Sequence, residues 1–203
     1  MRVQTDTLDE QTTYKLLTGL VVPRPIALVT TVDPEGRPNA APFSFFNALA
    51  HDPPIVALGL QARGGRDLKD TAENIRLTGS FTVHIVDEAT AEQMNVCARD
   101  VPADVDEIAE AGFTTTPGFN VPSPRLVEAP AALECRRHVT LELGRARNIV
   151  LGEVLSIDVR DDIHDAETGR IDQDALAAIG RMAGSEYVTT RSRFSMPRPG
   201  SGS

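Results

Sequence analysis

The sequence predicts a mainly β protein with short α-helices, its strands closing into a barrel. At least six short segments are apolar or alternate between apolar and polar residues: 26–32, 39–47, 55–60, 80–86, 131–143 and 148–159. Helical periodicity is confined to brief stretches between them. The early connections are tight, which suits an antiparallel meander and not βαβ units. A sheet of this many strands would expose its edges, and closure removes them.

The elements follow in order. Thr7 or Asp9 caps a helix over residues 10–20, with Leu16, Leu17 and Leu20 on one face. Pro23 and Pro25 force an extended entry, since a residue before proline avoids the helical region. Residues 26–32 are apolar and β-branched, and too few for a confident helix. Asp33-Pro34-Glu35-Gly36 makes a turn, with proline presetting φ and glycine taking the positive φ that closes it. The return strand is 39–47, and the turn 51–54 leads to 55–60, apolar on both faces.

After a Gly- and Arg-rich loop, 61–67, a two-turn helix is expected. Asp70 with Glu73 resembles a capping box, and Gly79 suits the position after the last turn. Residues 88–98 form an amphipathic helix and 107–112 a short one, with a charged connector at 99–106. The stretch 113–130 contains four prolines and reads as a long surface excursion. Two longer strands, 131–143 and 148–159, are joined at Gly144-Arg145-Ala146-Arg147. Asp165–Gly169 turns, Asp172 caps a helix through Ile179, and residues 180–187 form a loop. One domain is expected over 1–195, with a disordered tail at 196–203.

Composition narrows the function classes. Hydrophobic residues make up 41% and charged residues 24%, a globular mix. A net charge of −9 with no basic run argues against nucleic acid, whose phosphates need a basic face. No apolar run approaches the ~20 residues of a membrane span. The polar, acidic start is no signal peptide, so the cytoplasm is the expected location. Cys97 and Cys135 form no Cys-x-x-Cys pair and read as buried free thiols in a reducing compartment. Cys135 and His138 stand three apart in a strand, on opposite faces, and no second ligand pair supports a metal site. His84 reads as a satisfied sheet histidine rather than a base.

Two stretches carry candidate chemistry. Among only seven phenylalanines, Phe43, Phe45 and Phe46 surround Ser44, next to Ala40, Ala41 and Pro42 and before Asn47. Small residues let a flat ligand approach the backbone, Ser44 and Asn47 offer hydrogen bonds, and the aromatics can wall a ring. The same residues can also be a hairpin filling a core. The second stretch is the start of the helix at Lys69-Asp70-Thr71. Unpaired backbone N–H groups beside an ammonium, with Arg63 and Arg66 upstream, favour an anion such as phosphate. An ordinary capped surface helix would read the same way. Near the end, Arg181, Gly184 and Tyr187 can lie against a ligand or pack on a neighbour.

Pro23-Arg24-Pro25-Ile26-Ala27-Leu28-Val29, Asn39-Ala40-Ala41-Pro42-Phe43-Ser44-Phe45-Phe46-Asn47, Lys69-Asp70-Thr71 and Asn74-Ile75 resemble the flavin reductase-like proteins, flavoredoxin among them. Gly152-Glu153-Val154, and Arg181 with Gly184 and Tyr187, are similar to their pattern as well; Met182 and Ala183 depart from a more glycine-rich pairing. The resemblance spans residues 14–195. It implies a six-stranded antiparallel FMN-binding split β-barrel with peripheral helices, dimeric, with FMN near the subunit interface. Thr30 and Thr31 would approach the flavin. Ser44 and Phe45 would border the ring, with Ala41 and Asn47 nearby. Lys69 and Thr71 would hold the phosphate and Asp70 would cap the helix, while Arg181, Gly184 and Tyr187 would close over the cofactor. The implied activity is flavin reduction by NADH or NADPH, often feeding a monooxygenase. Similar proteins act instead as FMN-holding electron carriers, and a barrel without catalysis is the remaining class. Hydride transfer is the cofactors' own chemistry, so no catalytic dyad is needed.

Overall fold

The computed structural model describes residues 2–61, 70–99, 101–102, 105–143, 147–196 and 199. In chain order the elements are α1 (Glu10–Leu20), β1 (Arg24–Pro25), β2 (Ala27–Val32), β3 (Pro38–Phe43), β4 (Phe46–His51), β5 (Pro54–Gln61), α2 (Asp70–Thr78), β6 (Ser80–Ile85), α3 (Ala91–Val96), α4 (Glu107–Glu110), β7 (Thr115–Thr116), β8 (Arg125–Leu126), β9 (Ala131–Glu142), β10 (Arg147–Val159), β11 (His164–Asp165), β12 (Arg170–Ile171), α5 (Gln173–Leu176), β13 (Ile179–Arg181) and β14 (Tyr187–Thr189). The protein is mainly β, as its sequence predicts.

The large sheet runs β3-β2-β6-β9-β10-β5-β4, and its ladders are antiparallel. Its two outer strands, β3 and β4, are separated in the chain only by Ser44 and Phe45. The sheet therefore closes on itself through one bent segment, and the expected six strands become seven because that segment counts twice. The early strands do not form a simple meander: β2 pairs with β3 and β4 with β5, but β3 and β4 lie at opposite ends of the sheet order. Gly59 of β5 makes the bend possible. Its N–H donates to the Phe45 carbonyl at 2.7 Å, and a Cβ at Gly59 would stand 2.8 Å from the Phe45 Cβ.

One buried cluster, with Val29, Leu58, Ile75, Phe81, Val83 and Val150, fills the barrel under α2. Gly152 lies at a register shift in β10, where a Cβ would meet the Phe81 ring at 2.4 Å. A second cluster, with Leu28, Val86, Met94, Ile108, Phe113 and Leu126, packs the excursion and short helices against the outside. His84 and Glu134 help to fasten that excursion. The His84 ring is fully buried: its Nδ1 donates to the Leu28 carbonyl at 3.0 Å and its Nε2 accepts the Leu126 N–H at 3.0 Å. Glu134 accepts the N–H groups of Phe119 and Asn120, each at 2.6 Å.

Some boundaries differ from expectation. Asp9 caps α1, accepting from the Thr12 N–H. The helix expected over 88–98 shortens to Ala91–Val96, because Asp87 and Thr90 bond each other and hold the chain in a turn. Asp172 does cap α5, but the helix stops at Leu176, where Ala177 turns left-handed (φ 45°). Ile179 then donates to the Val86 carbonyl and opens a hairpin, β13–β14, where a loop is expected. Asp70 is the first residue of α2, and the Glu73 carboxylate accepts from Arg76 Nε at 2.9 Å. Cys97 and Cys135 are buried free thiols, and burial pushes both up to about 12. The proposed tail falls mostly outside the described residues. No described helix is long and apolar enough to cross a membrane.

Candidate functional site

The bent segment is bordered by two groups of candidate residues. At the β3 end, α2 is cross-linked to the sheet by two side-chain pairs. Asn39 Nδ2 donates to Thr71 Oγ1 at 3.0 Å, and Asn74 Nδ2 donates to Thr31 Oγ1 at 3.0 Å. All four residues are buried, so these bonds set the angle at which the start of α2 faces β3. Asn39, Ala41, Pro42 and Phe43 line a groove of about 110 Å³ with Asp70, Thr71, Cys97 and Glu107. That is below the roughly 300–1,000 Å³ of sites that enclose a whole cofactor-sized ligand, so this groove admits one end of such a ligand. Burial holds the Glu107 carboxyl above its ordinary range, and the negative charges of Asp70 and Asp106 push the same way.

At the other end stands the bend itself. Ser44 Oγ accepts from Arg24 Nε at 3.3 Å, and Phe45 is 51% exposed. Asn47 follows on β4 with its Oδ1 turned back to the Ala48 N–H. Beside it lies the β13–β14 hairpin, paired to β1. Arg181 lies over the Tyr187 ring, 4.5 Å from its centroid, and also donates to the Gly184 carbonyl. Gly184 takes φ 59°, which a residue with a side chain rarely adopts. Arg24 Nη2 donates to the Met182 carbonyl at 3.0 Å and so ties this hairpin to the bend.

Ala41, Asp70 and Thr71 thus share the groove, Ser44, Phe45 and Asn47 form the bend and the strand after it, and Arg181, Gly184 and Tyr187 share one hairpin. Thr30 and Thr31 are fully buried, with their hydroxyls bound to the Pro124 carbonyl and Asn74; they brace the walls and do not reach the groove. Lys69, with Arg63 and Arg66, lies outside the described residues. Sequence reasoning gave no role to Arg24, Asn39 or Asn74, although all three stand in the quoted segments. Their placement opposite Ser44, Thr71 and Thr31 was the missing signal. Glu107 carried no signal beyond a helix start. Among the described residues no cluster of His, Cys, Asp and Glu could hold a metal ion.

The fold is that of split-barrel flavoproteins. Flavoredoxin of Desulfovibrio vulgaris (Miyazaki F) shares it with a TM-score of 0.77 at 22% identity, all of both chains being covered. The chain belongs to the flavin reductase like domain family, whose model matches residues 19–179, and is an oxidoreductase of that family. Nitrilotriacetate monooxygenase component B from Bacillus cereus superposes with a TM-score of 0.92 at 33% identity, covering 97% of this chain and 98% of that one. Pseudomonas fluorescens 2-nitrobenzoate 2-nitroreductase gives a TM-score of 0.91 at 34% identity, covering 100% and 98%. An uncharacterized protein of Deinococcus radiodurans is 44% identical over 197 residues, 94% of this chain and 86% of that one.

Proposed function

We propose that the chain is an FMN-binding oxidoreductase that accepts hydride from NADH or NADPH, formed by one domain over residues 1–195. The observation that carries the reading is the bent β3–β4 segment, with a polar groove at the start of α2 and the Arg24–Ser44 pair at the bend. The residues fit FMN by their chemistry. Thr71 and the first turn of α2, with Lys69, suit a phosphate. Ala41, on the groove wall, lets a ring approach the backbone, whereas Ala40 is fully buried in the outer cluster; Ser44 supplies a hydroxyl, and Phe45 an apolar edge.

When bound, FMN supplies the electron-accepting ring for hydride transfer. The protein's part is orientation: the Asn39–Thr71 and Asn74–Thr31 bonds fix the phosphate end, and Arg24 fixes Ser44 at the ring end. Small neighbours leave one ring face open to a nicotinamide. In this reading the Arg181–Tyr187 hairpin, tied to the bend through the Arg24–Met182 bond, covers the ring edge.

A homodimer belongs to this reading. Strand β4 from Asn47 to His51 is exposed on both faces, with Leu49 at 58%, a surface suited to a second copy. A monooxygenase taking the reduced flavin is the proposed partner, in the cytoplasm. The relative described as a monooxygenase component supports that partner class. The test is an anaerobic absorbance experiment: FMN bound to the purified protein bleaches within seconds on addition of NADH or NADPH. Oxidised flavin that survives both donors but bleaches with dithionite would favour an FMN-holding electron carrier. Unchanged FMN fluorescence on addition of micromolar protein would overturn flavin binding itself.

A further inference from the structure

Arg24 is 5% exposed, and the oxygens that receive its hydrogen bonds are all neutral. Nη1 donates to the carbonyls of Thr18 at 2.6 Å and Val21 at 2.9 Å, Nη2 to that of Met182 at 3.0 Å, and Nε to Ser44 Oγ at 3.3 Å. Among the described residues no carboxylate forms an ion pair with it. Neutral acceptors take four of the guanidinium's five N–H groups and leave its charge in place, and a buried charge without a counter-charge is costly. Thr18 lies in the last turn of α1 and Val21 caps its C-terminus, so the helix dipole offsets the charge on that side. On the Ser44 side nothing described offsets it. The uncompensated charge therefore lies directly behind Ser44, at the bend.

Ser44 gains an orientation from the same contact. Its oxygen accepts the Arg24 N–H, so its own hydroxyl hydrogen is left to donate to something else. A cation behind an oriented donor is the arrangement that favours electron density in front of it.

We propose that Arg24 is a positioning residue of the flavin site: it aims the Ser44 hydroxyl at the ring and biases the bound flavin toward its reduced, anionic form. The inference rests on the flavin reading above. Taking up two electrons and one proton as hydride from the nicotinamide turns the neutral ring into a monoanion, and the nicotinamide leaves as a cation. A positive field at the ring therefore stabilises the product of reduction over the reactant.

The test is the reduction potential of FMN bound to the full chain, measured for Arg24→Gln, Arg24→Lys, Ser44→Ala and the distant Arg193→Gln. The expected result is at least a tenfold shift toward the oxidised form in Arg24→Gln, about 30 mV for a two-electron couple. Arg24→Lys keeps most of the potential, Ser44→Ala shifts it in the same direction by less, and Arg193→Gln leaves it unchanged. A purely structural arginine would alter stability without moving the potential, so flavin-loaded Arg24→Gln and Ser44→Ala proteins with unchanged potentials overturn the inference. Should Arg24→Gln fail to fold, Ser44→Ala decides alone, since it keeps the three carbonyl contacts. A titration beforehand separates the two failures: no flavin binding by the unaltered chain removes the underlying reading and this inference together.

Discussion

Asn39 on β3 donates its side-chain amide to the hydroxyl of Thr71, the second residue of α2, across 3.0 Å of buried space. The bond joins the strand that carries the candidate ring contacts to the helix start that faces the groove. Thr71→Val keeps the shape but leaves the Asn39 amide unpaired. An unpaired buried donor costs about 1–3 kcal/mol. Urea unfolding should report a loss of that size, and FMN affinity should fall with it. A loss below about 0.5 kcal/mol would show that water readily replaces the hydroxyl.

Lys69 tests the phosphate end. A charge-assisted hydrogen bond contributes about 1.5–3 kcal/mol, so Lys69→Ala should weaken FMN by roughly tenfold or more while leaving riboflavin nearly unaffected. Equal weakening of both flavins would assign the lysine to another role.

Gly59 sets the bend. A methyl group there meets the Phe45 Cβ at 2.8 Å, with the Phe45 carbonyl oxygen at 3.5 Å, so Gly59→Ala pushes Phe45 away from β5. Overpacking of this kind costs about 1–3 kcal/mol. The melting temperature should drop and FMN binding should weaken, because Ser44 and Phe45 move together. A variant with unaltered stability would mean that the bend relaxes freely.

The pH dependence of stability should carry the signature of His84. Burial lowers its pKa from 6.5 to about 4, partly opposed by the hydrogen bond to the Leu28 carbonyl. The folded chain therefore keeps the ring neutral while the unfolded chain protonates it below about pH 6.5. This contribution is present in full above that value and is lost as the pH falls from 6.5 toward 4, at up to about 1.4 kcal/mol per pH unit. Denaturation curves at several pH values should flatten in His84→Gln over that window. An unchanged slope would place the acid sensitivity in other groups.

Much of this fold was legible because strand alternation and turn residues are local signals. The hairpin turn at 33–36, α2 with Gly79 behind it, and the two long strands all lie close to their expected positions. Where the reading failed, the cause was a partner distant in the chain. The break at Ser44–Phe45 depends on Gly59, and the three-residue strand β13 exists because β1 is there to pair with it. The site shows the same division. Ser44, Thr71 and the Arg181–Tyr187 pair stand out as residue types, whereas Arg24 resembles any surface arginine until Thr18, Val21, Ser44 and Met182 are seen around it.

Association can be tested at β4. Leu49→Glu places a charge at the centre of the strand exposed on both faces. Light scattering should return a dimer for the unaltered protein and a 21.9 kDa monomer for the variant. A monomer in both cases, with flavin bound, would remove the dimer from the proposal.

The bend at Ser44 and Phe45 is also the clasp of the barrel. The two halves of the ring of strands meet there through a pair of residues and one carbonyl held by Gly59. A ligand seated across a clasp is coupled to whether the whole ring stays shut, because it is held only while the ring is closed. Such a cofactor acts as a structural rivet, and its free concentration becomes a thermostat for the fold, raising stability by RT ln(1 + [L]/Kd). Flavin supply would then govern how much of the protein persists as well as how fast it works.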